Sequence, residues 1–186
     1  MDLMLYRTEL LRYLDLFTAF FSKHGIRWYI QGSLAVRIYG VVERNVTDLD
    51  LRVDASLDVV LELIKAELFP TARMRSHVKF ARGEFRNECV LIDMEELGTH
   101  IDITNKITTY RNDLDLEFDI PFCVNPSLLP VCSNDPRRFP VCSLNGLLIN
   151  KCIHSRGSDE RKNDMGEVVK LLPRLSCLTP KGLPDD

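Results

Sequence analysis

Leu10, Leu11, Leu14, Phe17, Phe20 and Phe21 recur at the three- and four-residue spacing of a helix face, and His24-Gly25 supplies a stop after them. This pattern predicts an amphipathic first helix. Ile26 to Ile30 (IRWYI) is β-branched and aromatic, too short for a helix, and runs straight into Gln31-Gly32-Ser33. It reads as a strand ending in a Gly-Ser turn, with a short helix over Leu34 to Tyr39 behind it. Asp48 to Val53 (DLDLRV) alternates strictly. A strand there puts Asp48, Asp50 and Arg52 on one face and Leu49, Leu51 and Val53 on the other.

Ser56 stands where it can cap a helix carrying Leu57, Val60, Leu61, Ile64 and Leu68, which Pro70 ends. Strands are predicted at His77 to Arg82, Glu88 to Met94 and Thr99 to Thr104, with Glu95-Glu96-Leu97-Gly98 as the turn between the last two. From Arg111 to Pro140 the chain is rich in acids and prolines and reads as a surface excursion with one short strand. Phe139 to Cys142 predicts a last strand, after which Ser143 caps a helix with Leu144, Leu147, Leu148 and Lys151 on one stripe. Gly157 separates that helix from a second one over Asp159 to Leu172, and the proline-bearing remainder reads as a frayed tail. Strands interleaved with helices predict an α/β fold with a small mixed sheet and helices packed on one side. The division that follows is a core over 1–142, a helical pair over 143–173 that closes the cleft, and a flexible tail over 174–186.

At 186 residues, 45% hydrophobic and 27% charged, the chain is long enough to bury one real core. Its longest charge-free stretch, Ile120 to Asn134, carries Pro121, Pro126 and Pro130 and cannot span a bilayer as a helix. Asp2, Arg7 and Glu9 interrupt the N-terminus where a secretory signal needs an unbroken apolar run, so a cytoplasmic location is expected. The six cysteines contain no CxxC pair, and reduced core thiols are the expectation. His24, His77, His100 and His154 have no mutual ligand spacing, which argues against structural zinc. Net charge is −3, so no global basic field attracts nucleic acid. Any RNA partner must use a local patch, and Arg73, Arg75, His77, Lys79, Arg82 and Arg86 form the only dense cationic stretch. A solvated edge strand protected by charge is the competing reading of that stretch.

The stretch from Trp28 to Val53 carries the chemistry. A glycine just after a strand lets backbone amides approach a phosphate, and the start of the following helix favours negative charge. Ser33 can donate to the same phosphate. Asp48 and Asp50, on one strand face sixteen positions after Gly32, can share divalent cations that also grip a triphosphate. Asp102 in HIDIT supplies a third acid, because Ile101 and Ile103 flank it with the alternation of a half-buried strand and leave it on the polar face with His100 and Thr104. Arg44, four residues before Asp48, either touches the nucleotide or pairs with an acid.

Gly-Ser, a helix, Asp-x-Asp and a later strand Asp resemble the nucleotidyltransferase superfamily that shares the DNA polymerase β-like palm. The resemblance covers most of residues 26 to 172. Within it, VCSLNGLLINKCIHSRGSDERKNDMGEVVKLL looks like the AbiEii group of toxin nucleotidyltransferases, in which a leucine-rich helix carries a lysine and the next helix carries acids. Gln31 stands where that group often has a first glycine, and Asn145 stands near its helix glutamate.

The resemblance implies transfer of a nucleoside monophosphate from a magnesium-bound nucleoside triphosphate to an acceptor, releasing pyrophosphate. Asp48, Asp50 and Asp102 would hold two Mg2+ ions about 3.5 to 4 Å apart, with Asp102 also taking the proton of the attacking hydroxyl. Gly32 and Ser33 would position the outer phosphates. Lys151 would contact phosphate with Asp164 orienting it, and Glu167 matches the further acid. Lys170 is a weaker alternative to Lys151, since six residues separate it from Asp164 and so large a rotation keeps the two off one helix face. The acceptor implied is RNA, in particular a tRNA end, with a cognate antitoxin protein as partner. A small antibiotic-modifying enzyme of the aminoglycoside or lincosamide kind is the alternative, with Asp113, Asp115, Glu117 and Asp119 lining an acidic cleft. A catalytically silent nucleotide-binding module is the third reading.

Overall fold

The computed structural model of the chain describes residues 3–40, 46, 48–81, 85–96, 99–111, 116–131 and 136–155, together with 166, 169, 170 and 172. The described elements are α1 (Leu3–Lys23), β1 (Trp28–Ile30), α2 (Gly32–Ile38), β2 (Asp48–Val53), α3 (Leu57–Glu67), β3 (Arg73–Ala81), β4 (Phe85–Glu96), β5 (Thr99–Thr104), β6 (Thr108–Arg111), β7 (Leu116–Asp119) and α4 (Leu144–Ser155). No described helix is long and apolar enough to cross a membrane.

The seven strands form one mixed sheet in the order β1-β2-β5-β4-β6-β7, with β3 on β4. The β2 and β5 strands are parallel and the other pairings are antiparallel. That parallel pair needs a crossover, and α3 with the β3–β4 hairpin provides it. Strict alternation then sorts the two faces. Leu49 lies beside Ile101 and Leu51 beside Ile103 on the back, while Asp48, Asp50 and Arg52 lie beside His100, Asp102 and Thr104 on the front. The back face joins Leu14, Phe17 and Phe21 of α1 and Val60, Leu61 and Ile64 of α3 in one buried cluster. Burial of that apolar surface, at about 25 cal/mol per Å2, is what holds helices and sheet together. Aromatic contacts tie the elements at named points: Phe17 of α1 meets Phe69, just beyond α3, with centroids 6.1 Å apart, and Phe21 meets Trp28 of β1 at 5.5 Å.

Several boundaries differ from the sequence expectation. The α2 helix begins at Gly32 rather than after Ser33, so both residues of the turn sit in its first turn. Ser56 occupies the N-cap of α3 but its side chain makes no capping bond; only its carbonyl serves, accepting the Val60 N–H at 3.0 Å. The β3 and β4 strands are longer than predicted, because each satisfies the other's backbone along nine paired positions. Neither β6 nor the placement of β7 beside it was foreseen. Thr108 to Arg111 shows no long apolar alternation, and pairing with β4 and β7 decides its conformation. Phe139 to Cys142 makes isolated bridges to Leu129, Ile30 and Val124 instead of a continuous strand, as Pro140 within it lacks a ladder donor. The predicted second C-terminal helix lies outside the described residues except at 166, 169, 170 and 172, which are helical, and 174–186 lie outside them entirely.

Candidate functional site

The Gly-Ser start of α2 is seated directly on the Asp-x-Asp strand. At the end of β1 the Gln31 N–H donates to the Asp50 carbonyl at 2.9 Å. Gly32 follows with φ +64, a region that L side chains rarely adopt. A Cβ placed on Gly32 would collide with the Asp50 carboxylate, its Cγ lying only 2.7 Å away. Glycine is therefore required twice over, once by conformation and once by the approach of Asp50. Ser33 is half-buried behind it, and Leu34, Ala35 and Val36 anchor the short helix in the core.

Register brings the acids together across three strands. Asp50 lies beside Asp102, and Asp102 lies beside Asp93 of β4, so the three occupy neighbouring strands about 4.8 Å apart. Asp48, two residues away along β2 and in register with His100, is exposed, and Asp50 is half-buried. Asp93 and His100 complete it. The His100 Nε2 is 3.1 Å from Asp102 Oδ1 and 3.4 Å from Asp93 Oδ1, while Arg75 Nη1 and Arg73 Nε approach Asp93 Oδ2 at 3.3 and 3.7 Å. The Asp93 side chain is 5% exposed. Asp102 Oδ1 is buried and has no hydrogen-bond partner despite the nearby imidazole.

Burial pushes the Asp102 carboxyl above the usual carboxylate range; His100 and Arg75 draw it down, and Asp93 and Asp48 push it further up. A folded-state value above the unfolded one favours the protonated acid, so its contribution to stability is present at low pH and lost as pH rises through the folded value. In chelator-treated protein, Asp102→Asn is therefore expected to be more stable than wild type at pH 7, with the gain vanishing below about pH 4. Urea unfolding across that range measures it. An Asn variant that is less stable at pH 7 contradicts the charge balance of this row.

The front face is closed at its other end. Arg52, which alternation placed on the polar face with the acids, is 2% exposed. Its Nη2 donates to the Ile120 carbonyl, where the chain after β7 crosses the sheet. Tyr29 of β1 packs there on Phe122 with centroids 4.7 Å apart. The same segment leads to Cys123, which with Cys142 is a free thiol; burial raises Cys142 to about 12. Of these two, Cys142 is buried in the core and Cys123 only half-buried.

Residues 139–142 dock on β1, with Ile30 N–H donating to Pro140 at 2.9 Å and Cys142 N–H to Ile30 at 2.8 Å. The α4 helix follows, capped as predicted by Ser143, whose Oγ accepts the Gly146 N–H at 3.2 Å. Leu144, Leu147, Leu148 and Lys151 are all buried, so Lys151 does lie on the inward stripe of a helix that packs against α2. Arg44, Asp164 and Glu167 lie outside the described residues, and Lys170 is exposed.

Among the other predicted groups, Asp119 is held by Lys106 at 3.0 Å and Thr108 at 2.8 Å, which keeps its carboxyl below the usual range. Glu117 is exposed, while Asp113 and Asp115 are outside the described residues. In the cationic stretch, Arg73 and Arg75 are exposed but already face Asp93. Sequence reasoning missed Asp93 altogether. Its one signal was an acid inside the apolar run Leu91-Ile92-Asp93-Met94, where an unpaired charge would be costly.

No family model and no curated protein matches the sequence. Solved structures do. A candidate nucleotidyltransferase from Thermotoga maritima superposes with a TM-score of 0.51 at 18% identity, over 92% of this chain and 94% of that one. The antibiotic-resistance factor ANT(2'')-Ia superposes with a TM-score of 0.57 at 11% identity, over 92% of this chain and 85% of that one. The chain thus has the α/β fold of these nucleotidyltransferase structures.

Proposed function

We propose that the protein is a metal-dependent nucleotidyltransferase that moves a nucleoside monophosphate from a nucleoside triphosphate to an acceptor hydroxyl. The observation that carries this reading is the seating of Gly32 on Asp50, with Asp48 and Asp102 on the same sheet face. In this reading, Gly32 and Ser33 hold the outer phosphates through first-turn N–H groups that point out of the helix end. Lys151 and Arg44 add positive charge along the triphosphate, and Asp164 orients Lys151. Three carboxylates on one face, one of them with a buried oxygen that lacks a hydrogen-bond partner, suit a pair of hard divalent cations such as Mg2+. When bound, those cations would neutralise the triphosphate and polarise its α-phosphate. Asp102 accepts the proton of the attacking hydroxyl as the acceptor oxygen bonds to the α-phosphorus. The bridging oxygen to the β-phosphorus leaves with pyrophosphate.

For the acceptor we favour RNA, a tRNA end in particular, in a toxin-type enzyme of the cytoplasm restrained by an antitoxin protein. The similarity of residues 139–172 to the AbiEii group supports it. A second reading, transfer to an antibiotic, draws on the fold likeness to an antibiotic-resistance factor. One experiment separates them. The purified chain is incubated with each α-labelled triphosphate and Mg2+, then with total RNA or a panel of aminoglycosides and lincosamides. Label on RNA supports the first reading, and label on a drug replaces it with the second. Pyrophosphate release with neither would call for another acceptor. No cation-dependent turnover or nucleotide binding would reject the transferase reading.

A further inference from the structure

The pair of acids on β2 leaves Asp93 and His100 unexplained, and their geometry is specific. His100 Nε2 faces two carboxylate oxygens at once, Asp102 Oδ1 at 3.1 Å and Asp93 Oδ1 at 3.4 Å. One ring nitrogen carries at most one proton, so it cannot make a full hydrogen bond to each. Asp102 Oδ1 is in fact buried and has no hydrogen-bond partner. Arg73 and Arg75 approach the other oxygen of Asp93, Oδ2, and leave Oδ1 turned to the imidazole. The three donor atoms lie within 4.8 Å of one another. Ligands held about 2.1 Å from one ion are about 3.0 Å apart at the edge of an octahedron and about 3.4 Å apart in a tetrahedron. The two His100 contacts, at 3.1 and 3.4 Å, lie within the range that these two edges span.

We propose that Asp93, His100 and Asp102 form a mixed nitrogen and oxygen site for a divalent transition cation of the Mn2+, Co2+ or Zn2+ class, with Asp102 shared between it and the Asp48–Asp50 pair. An imidazole donor is the reason for the class. Mg2+ takes oxygen ligands and keeps its waters, whereas imidazole suits borderline ions and adds to their advantage. The chain builds the site by simple means: His100-x-Asp102 projects both side chains from one face of β5, and register with β4 delivers Asp93. Three protein donors leave open positions on the ion for water or a phosphate oxygen.

This inference deepens the metal assignment of the proposed reaction, and its test uses no nucleotide. The full chain is stripped with chelator and titrated with Co2+ alone and with Mg2+ alone, by calorimetry and by visible absorption, in wild type and His100→Asn. His100 is on the surface side of the row, one third exposed, so the variant is expected to fold. Wild type should bind Co2+ at least tenfold more tightly than Mg2+. The variant should lose at least tenfold in Co2+ affinity while its Mg2+ affinity stays within twofold. Bound Mn2+ should show nitrogen coupling in pulsed electron spin resonance that disappears in the variant. Equal affinities for the two ions, or a Co2+ affinity and spectrum unchanged by His100→Asn, overturn the site. A His100-dependent signal in a protein that turns over no nucleotide would reject the transferase reading and leave this metal site standing.

Discussion

Asp50→Asn and Asp48→Ala are each expected to lower nucleotidyl transfer by at least about a thousandfold while the protein stays folded. The loss should exceed the 10- to 100-fold typical of residues that only orient a metal ligand, because the carboxylate itself is removed. The fold should survive for a structural reason. Asp48 is exposed and Asp50 is half-buried on the front face, whereas the contacts that hold β2 come from Leu49, Leu51 and Val53, all fully buried on the back. Removing a front-face acid deletes none of these. In chelator-treated protein, removing Asp48 should even raise the melting temperature slightly, since Asp48 is one of the like charges that push the Asp102 carboxyl up. Label transfer and thermal unfolding on the same samples measure both effects. A variant at either position that keeps full cation-dependent activity removes that residue from the site.

The division between what could and could not be read from the sequence follows physical lines. DLDLRV and THIDIT became β2 and β5 at the predicted residues, because their strict polar and apolar alternation matches a strand with one fully buried face. Alternation names a face but not what covers it. Arg52 shares a face with Asp48 and Asp50 yet lies beneath Ile120, since a segment 68 residues later crosses the sheet at that end. Asp93 illustrates a second limit. Its role comes from being opposite Asp102 in an antiparallel register, and register between strands is invisible to composition. His100 was legible as a polar-face residue but not as a neighbour of two acids. Spacing along the chain does not show such a cluster, because strands gather ligands across it. Thr108 to Arg111 escaped detection because four residues of mixed polarity carry too little pattern, and pairing with neighbours decides their conformation.

Gly32→Ala gives a sharp test of the site's construction, and Gly25→Ala is its built-in control. Both glycines have positive φ, +64 and +65, so either alanine carries the same conformational cost of about 1 to 2 kcal/mol. They differ in surroundings. A Cβ at Gly25 meets nothing within 4 Å, whereas one at Gly32 runs into the Asp50 carboxylate. The Asp50 main chain cannot yield easily, being fixed by the Gln31 N–H bond at 2.9 Å and by pairing with Asp102 on β5. Its carboxylate must therefore swing away from the acid row. Gly25→Ala should lose about 1 to 2 kcal/mol of stability and keep its cation affinity and transfer rate. Gly32→Ala should lose at least as much stability, bind divalent cation at least tenfold more weakly, and drop in kcat by two orders of magnitude or more, since misplacement of about 1 Å can cost that much. Chemical unfolding, calorimetry with the cation alone and steady-state kinetics on both variants read these outcomes. Equal behaviour of the two alanines would mean that the close approach of Gly32 to Asp50 plays no part in holding the carboxylate where the chemistry needs it.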